Sequence, residues 1–347
     1  FYWQAYAFVS AASALSSAVV MLLILARPRL RNEPFNHFIV GLALPDFLFS
    51  FACTFTCAFH AAAGHWVDGH GGWMCDFQAF YTMFGTAGSM YVNVMITYEL
   101  LRLSIRTKKM VAYTAPPVRS IWAGLVTVYA WAALVSALPT VGYLAWPGLP
   151  ARSYPIRGLN CLPVDYDPPS RIYFFAVTLP TVALVPCLLI GGLSIGVLLT
   201  NSTGAPGKGT ATRVARWKER LWERFAPVRV GDSPRRGGAD DPEWAEPAMV
   251  PESVSRAAAR AVFAFFSRLV IVLGCMWMPF IAVWILKPPY YLWGGHLNWF
   301  GGTWAHLQGL VSALIYLQKS DLREEFWRVT HRGQSRAIKE LRSAAED

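Results

Sequence analysis

The sequence predicts an all-α fold, a bundle of seven membrane-spanning helices followed by a short amphipathic interfacial helix. Of its 347 residues, 54% are hydrophobic and 15% are charged, whereas a soluble domain carries roughly 25% charged residues. Seven apolar runs reach the roughly 20 residues that a helix needs to cross about 30 Å of hydrocarbon. A soluble helical protein would need polar stripes facing water, which these runs lack.

The seven predicted spans are joined by short connections, except for one long loop. The spans are Tyr2–Ala26, Asn36–His60, Met74–Ile105, Arg119–Leu144, Arg171–Thr200, Arg256–Leu286 and Leu297–Gln318. They predict one domain over residues 1–331, with a loop at about 201–251 that is rich in Gly, Pro, Ser and Arg and is expected to be disordered. Residues 319–330 place apolar side chains on one side of an interfacial helix, and residues 332–347 are expected to form a cytoplasmic tail.

Basic residues are concentrated on one side of these spans. If the N-terminus lies outside, 27 of the 31 Lys and Arg residues fall inside. The outer side then carries only Arg152, Arg157, Arg171 and Lys287. The positive-inside rule therefore predicts a multi-pass plasma-membrane protein with its N-terminus outside and its C-terminus in the cytoplasm. Attraction of the basic rim to anionic membrane lipids explains the net charge of +10 without a nucleic-acid partner.

The six cysteines divide by their position in the spans. Four lie within apolar runs, where cysteine is usually reduced and packs as a small apolar side chain: Cys53, Cys57, Cys187 and Cys275. Cys75 and Cys161 both fall on the outer, oxidising side. These two are therefore predicted to form a disulfide.

Asp46 is a carboxylate near the middle of the second span, where a charge is costly and usually functional. It ends the segment NEPFNHFIVGLALPD, residues 32–46, in which Pro-x-Asn leads into Leu-Ala-x-x-Asp. This segment resembles the first inner loop and second span of rhodopsin-like (class A) G protein-coupled receptors. The resemblance extends from span one to the helix after span seven. It implies a non-enzymatic receptor that transduces an extracellular signal to a cytosolic heterotrimeric G protein.

The resemblance also implies a sodium ion bound in the core of the bundle. Ser89 follows Cys75 by fourteen residues and falls at the depth of Asp46, and an Asp and a Ser so placed bind sodium in this family. In span seven, Ser312, Ala313 and Tyr316 take the places of the family's Asn-Pro-x-x-Tyr. Gln308 and Ser312 would offer oxygens toward the carboxylate. The Leu-Gln-Gly that includes Gln308 is also similar to the slime-mould cyclic-AMP receptor family.

The resemblance predicts a hinge in span six. Trp277 and Pro279 match the family's Trp-x-Pro, in which proline removes a backbone hydrogen bond and lets the helix kink. The inner half of the span would swing outward about Pro279 and expose a crevice to the G protein. The residues predicted to serve activation and coupling are Glu99, Arg102, Arg106, Arg268, Trp277, Pro279 and Tyr316.

The inner end of span three departs most from the family pattern. The family uses Asp/Glu-Arg-Tyr, whereas this chain has Glu99 at the acid and Leu100 at the arginine. Arg102 lies two residues later, about 200° around the helix, and cannot take the same place. The arginine-centred activation lock of the family is therefore not expected here.

A ligand cavity is expected between the outer halves of spans three, five, six and seven. Thr82 stands where amine receptors carry a carboxylate, so a neutral or lipid-like small molecule is expected. His306 stands where opsins carry their retinal lysine, and no span contains a lysine, so a retinal cofactor is not expected. The candidate contacts are Gln78, Tyr81, Thr82, Met83, Trp277, Phe280, Trp284, Trp304 and His306.

Three alternatives to a G protein-coupled receptor remain open from the residues. A seven-span bundle can handle lipids or act as a channel without a G protein. The histidines His60, His65, His70 and His296, with Asp68, could sense protons or bind a metal on the outer face. A seven-span zinc hydrolase would need several histidines and a carboxylate within the bundle, where only His306 lies deep, so no metal site is assigned.

Overall fold

The computed structural model describes residues 2–63, 73–109, 113–145, 153–156, 160–163, 174–202, 264–272, 274–277 and 295–329. Most of these are helical. The helices are α1 (Tyr2–Ala26), α2 (Pro28–Arg31), α3 (Pro34–Ala63), α4 (Trp73–Lys108), α5 (Val118–Ala145), α6 (Val185–Ser202), α7 (264–277), α8 (Gly295–Tyr316) and α9 (320–329). Two π-helical turns, Phe174–Thr178 and Pro180–Leu184, precede α6 and belong to the same span. The predicted spans one to seven correspond to α1, α3, α4, α5, α6, α7 and α8. The tail at 332–347 and the long loop from residue 203 onward lie outside the described residues.

Span three lies inside the bundle. Four helices are long and apolar enough to cross a membrane among the described residues: Trp3–Ala26, Pro34–Ala63, Val118–Leu138 and Phe175–Val197. The α4 helix instead carries a row of buried polar side chains: Gln78, Thr82, Thr86, Ser89, Asn93 and Thr97. Thr86, Asn93 and Thr97 each donate to the carbonyl four residues earlier, at 2.7–2.8 Å. Polar side chains are costly against lipid, which explains why this helix is surrounded by the others.

Spans one and seven approach each other closely along a seam of small residues. The buried positions of α1 follow a helical repeat of three or four residues, with Ser13 and Ala14 adjacent: Tyr6, Ser10, Ser13, Ala14, Ser17, Val20 and Ile24. Gly309 of α8 lies against the hydroxyls of Ser13 and Ser17, which a Cβ at this glycine would meet. Small side chains let two helices approach in lipid, where packing and not water drives association.

A short hairpin covers one end of the bundle. Strands β1 (Ser153–Ile156) and β2 (Asn160–Pro163) pair antiparallel, with Pro155 opposite Cys161. A disulfide joins Cys161 to Cys75 near the start of α4, with Cα atoms 5.2 Å apart, which confirms the predicted bridge. At this hairpin the fold departs from a purely helical one, because two segments of the loop before span five form hydrogen bonds with each other. We call the end that carries this bridge the outer end, and the opposite end the inner end.

The first inner connection and the helix after span seven hold each other at the inner end. Arg27, just before α2, pairs with Glu325 of α9 at 3.2 Å. Lys319 donates to the Asn36 side chain at 2.6 Å and pairs with Asp321 at 2.9 Å. Within α9, the Leu322 side chain is buried against the bundle, whereas the Trp327 side chain is exposed. The α9 helix thus has one face on the bundle and one face free for the membrane surface.

Candidate functional site

A buried carboxylate joins spans two, three and seven. Asp46 is 5% exposed. Its Oδ1 atom accepts hydrogen bonds from Ser89 Oγ at 2.8 Å and from Gln308 Nε2 at 3.1 Å. Two of its three predicted partners therefore meet Asp46. Ser312 is buried one turn further along α8, but no hydrogen bond joins it to Asp46 among the described residues.

We call Asp46, Ser89, Asn93, Gln308 and Ser312 the polar core. Two of its buried oxygens accept no hydrogen bond from any described group. One is Gln308 Oε1, on the amide whose nitrogen reaches Asp46. The other is Asn93 Oδ1, on a side chain whose nitrogen donates to the Ser89 carbonyl at 2.8 Å. Buried acceptors without donors are rare and call for a water or a cation to satisfy them. Oxygen atoms with a carboxylate among them are the ligands that hard cations prefer.

An aromatic cluster lies on the outer side of Asp46. Phe49 of α3 is at its centre, stacked on His306 with ring centroids 4.2 Å apart. The Phe49 ring also lies 6.0 Å from the rings of both Tyr81 and Trp277. Tyr6 meets the edge of His306 at 5.9 Å. The cluster therefore joins spans one, two, three, six and seven, and it includes three of the predicted ligand contacts.

The predicted ligand contacts do not all converge on this cluster. Gln78 is occupied by the hairpin, since its Oε1 accepts from the Cys161 backbone N–H at 3.1 Å. Met83 packs with Ala132, Val135 and Val182 of spans four and five. Thr82 is buried on α4. Phe280, Trp284 and the hinge residue Pro279 lie outside the described residues.

Trp304 and His60 sit in places that the sequence did not indicate, whereas His306 lies deep in the bundle as expected. His306 is 5% exposed, and its Nδ1 has no hydrogen-bond partner among the described residues. Trp304 is half-buried and donates through Nε1 to the Cys275 carbonyl at 3.0 Å. His60 is buried within α3, with its ring 5.8 Å from that of Trp3, and so is not a solvated outer histidine. His65, Asp68 and His70, and the side chain of His296, lie outside the described residues.

Sequence reasoning missed Phe49 and Tyr6. A phenylalanine in an apolar span carries no signal that separates a bundle-facing position from a lipid-facing one, because both environments favour it. Phe51, two residues later, is 59% exposed. Only the rotation of α3 against its neighbours makes the distinction.

Polar groups at the inner end form two separate sets. Glu99 pairs with Arg102 at 3.2 Å and accepts from the Tyr113 hydroxyl at 3.0 Å. Burial, and then the Glu99 carboxylate beside it, raise the pKa of Tyr113, while Arg102 and Arg106 act in the opposite direction. Arg268 of α7 donates instead to the Gln318 side chain at 3.1 Å. In these contacts Glu99 and Arg102 form one set at the inner end of α4, and Arg268 with Gln318 forms a second between spans six and seven.

An apolar contact joins spans two and six at the inner end. Phe266 of α7 is 1% exposed, with its ring 5.6 Å from Phe35 and 6.5 Å from Phe38. Phe35 also stacks on Tyr113 at 6.2 Å. Leu100, which stands at the family's arginine position, is buried in the same apolar cluster. Phe266, Phe35, Phe38 and Leu100 form the inner apolar contact.

The aromatic cluster and the polar core are linked through α8. His306 of the aromatic cluster and Gln308 of the polar core are two residues apart on α8. A shift of the cluster would therefore move a direct partner of Asp46.

Comparisons with known proteins agree with this architecture. A family model described as "7 transmembrane receptor (rhodopsin family)" matches residues 16–293. Among solved structures, squid rhodopsin is similar, with a TM-score of 0.66 and 17% sequence identity over 94% of this chain and 84% of that chain. At this identity the similarity shows the fold alone. No curated protein matches the sequence.

Proposed function

The chain belongs to the rhodopsin family of seven-transmembrane receptors, and from that membership we propose a G protein-coupled receptor that responds to a neutral or lipid-like small molecule. The receptor would act in the plasma membrane, with its disulfide-bridged end outside. Of the 31 basic residues, 27 fall on the opposite side, which supports that orientation by the positive-inside rule.

The observation that carries the proposal is the pair of hydrogen bonds that Asp46 accepts from spans three and seven. A buried carboxylate is stable only with such partners, so any displacement of Gln308 changes its free energy. The aromatic cluster offers a way to displace Gln308, because His306, two residues before it, stacks on Phe49, whose ring lies 6.0 Å from that of Trp277. Ligand contact at the cluster would in this way shift the polar core.

The ligand class follows from the charges that surround the cluster. Its rings belong to Tyr6, Phe49, Tyr81, Trp277 and His306, none of which carries a negative charge, and the Asp46 carboxylate is already bound by Ser89 and Gln308. A cationic ligand would find no counter-ion beside these rings, whereas a neutral aromatic or lipid-like molecule would pack against them. The unpartnered Nδ1 of His306 offers one hydrogen bond. Covalent retinal is not proposed, since span seven contains no lysine.

A sodium ion fits the polar core. The Asp46 carboxylate, Ser89 Oγ and the unpartnered Gln308 Oε1 supply oxygen ligands only, which suits a hard cation and no transition metal. The ion would neutralise the carboxylate. Ser89 and Gln308 hold the Asp46 carboxylate between spans three and seven. Separation of these two spans would break the hydrogen bonds to the carboxylate.

The cytosolic partner would enter at the inner end. We expect outward movement of span six to separate Phe266 from span two and to expose Glu99, Arg102 and Arg106 to a heterotrimeric G protein. Leu100 leaves that partner without the family's arginine, so Arg102 and Arg106, two and six residues further along α4, would offer basic contacts from other faces of the helix. The membrane-facing side of α9 would meet lipid headgroups through Trp327.

Nucleotide exchange on purified heterotrimers tests the proposal. The receptor in lipid nanodiscs is expected to accelerate GTP binding by at least one G protein class when a screen of neutral lipids and aromatic small molecules supplies the agonist. A matched Gln308→Leu variant, which keeps the volume and loses the donor to Asp46, should respond less. A protein that binds such molecules but accelerates no heterotrimer would favour a lipid-handling or channel-like bundle.

A further inference from the structure

Trp304 and Cys275 make a contact that the ligand-binding role predicted for Trp304 does not explain. Trp304 Nε1 donates to the backbone carbonyl of Cys275 at 3.0 Å, across from span seven to span six. Indole has one donor and no acceptor, so this bond uses all of its hydrogen-bonding capacity. The Trp304 ring stacks on Phe300, one turn earlier on α8, at 5.7 Å.

The covalent structure of span six explains why this carbonyl accepts a bond from another helix. In an α-helix, a carbonyl accepts from the N–H four residues later, and for Cys275 that residue is Pro279. Proline has no N–H, so the carbonyl has no helical donor. An unsatisfied carbonyl is costly in hydrocarbon, where no water replaces the missing donor.

We propose that Trp304 is a positioning residue that binds the carbonyl left free by Pro279 and thereby holds span six in its closed position against span seven. Cys275 lies on the inner side of the proposed hinge and belongs to the half of the span that would swing. Trp304 belongs to span seven and would not swing with it. The inference rests on the proposed function only in taking Pro279 as the hinge.

The geometry makes this bond sensitive to the swing. Four residues, the separation of Cys275 from Pro279 in the chain, correspond to about 6 Å along an α-helix. A bend of about 20° displaces the Cys275 carbonyl by about 2 Å, which stretches the bond from 3.0 Å beyond hydrogen-bonding range. The bond is therefore made in the closed arrangement and lost in the open one, and only such a difference can bias a conformational equilibrium.

Loss of the donor should favour opening. Trp304→Phe keeps an aromatic ring and removes the N–H. The open-to-closed ratio is expected to rise about two- to tenfold, as the loss of one net hydrogen bond implies. The same bend moves Ser267, twelve residues before Pro279, by about 6 Å. Spin labels carried on non-natural amino acids at Ser267 and Ile105 would report that movement by electron–electron distance measurement in nanodiscs, with the native cysteines left in place.

Two further variants make the experiment specific. Trp122→Phe removes another indole donor, the one that reaches His37 Nδ1 at 3.0 Å far from the hinge, and should leave the distances unchanged. Pro279→Ala restores a backbone N–H to the Cys275 carbonyl, so Trp304→Phe should have little effect in that background. If Trp304→Phe is too poorly folded to measure, replacement of Trp304 by benzothienylalanine removes the N–H and keeps the shape.

The outcomes separate this inference from the proposed function. Unchanged distances in the Trp304 variant overturn it, as does an effect that persists undiminished with Pro279→Ala or one that Trp122→Phe reproduces. None of these readings involves a G protein. Distances that shift as expected in a protein that never accelerates nucleotide exchange would remove the coupling proposal and leave the role of Trp304 intact.

Discussion

Removal of the Phe266 ring should release the inner end of span six. Phe266 packs between Phe35 and Phe38 of span two, at 5.6 and 6.5 Å between centroids, and both pairs must break if span six swings outward. Aromatic pairs contribute about 0.5–1.5 kcal/mol each, so the two together stabilise the closed arrangement by roughly 1–3 kcal/mol. Phe266→Ala is therefore expected to raise the open-to-closed ratio roughly 5- to 150-fold.

Ligand-independent nucleotide exchange, measured beside the thermal midpoint, is the assay. Basal exchange should rise in Phe266→Ala while the midpoint falls, because a buried ring is also lost from the folded state. Phe51→Ala is the matched control: Phe51 is 59% exposed and stacks only on Phe47 of its own helix among the described rings. A Phe266 variant that loses thermal stability while its basal exchange equals that of the native receptor would show that both arrangements keep the ring equally packed, and would refute the reasoning.

Three further predictions concern the polar core, the helix seam and the inner tyrosine. Sodium should raise the thermal midpoint of the native protein by a few degrees, because an ion that binds only the folded state stabilises it. Asp46→Asn should abolish that shift, and an equal shift in both proteins would refute a sodium site at Asp46. Gly309→Ala should destabilise by about 1–3 kcal/mol in chemical unfolding because its Cβ meets Ser13 and Ser17, whereas Gly191→Ala, with nothing within 4 Å, should not. The pKa of Tyr113 is raised on folding, so its stabilising contribution is complete below its ordinary pKa near 10 and is lost above it; Tyr113→Phe should flatten the alkaline part of the stability profile.

Several features of the site could be predicted from the residues. The Cys75–Cys161 bridge followed from two cysteines on one oxidising side, and the structure confirms it. Asp46 demanded partners, and Ser89 and Gln308 lie within hydrogen-bonding distance of it. Polar groups in a membrane span are rare enough that each one carries information about what it must meet.

Other features were not visible in the residues. Nothing in the sequence distinguishes Phe49, at the centre of the aromatic cluster, from the lipid-facing Phe51. Trp304 was expected to contact a ligand, but its N–H is used by the Cys275 carbonyl. Arg268 was expected to line the same inner crevice as Glu99, and its donation to Gln318 could not be read from the residues. Each of these contacts joins residues that are distant in the chain, and their meeting depends on how two helices are rotated.

The residues alone predict that this chain crosses the membrane as helices. Backbone groups in hydrocarbon must find hydrogen-bond partners within their own segment, and the length of each apolar run is enough to indicate such a helix. Which face of each helix turns inward depends on how the helices pack. Lipid tails are as apolar as the helix surfaces they touch, so apolar residues carry no instruction about facing. Close packing along the Ser13–Gly309 seam, the bonds at Asp46 and the inner apolar contact around Phe266 supply that instruction.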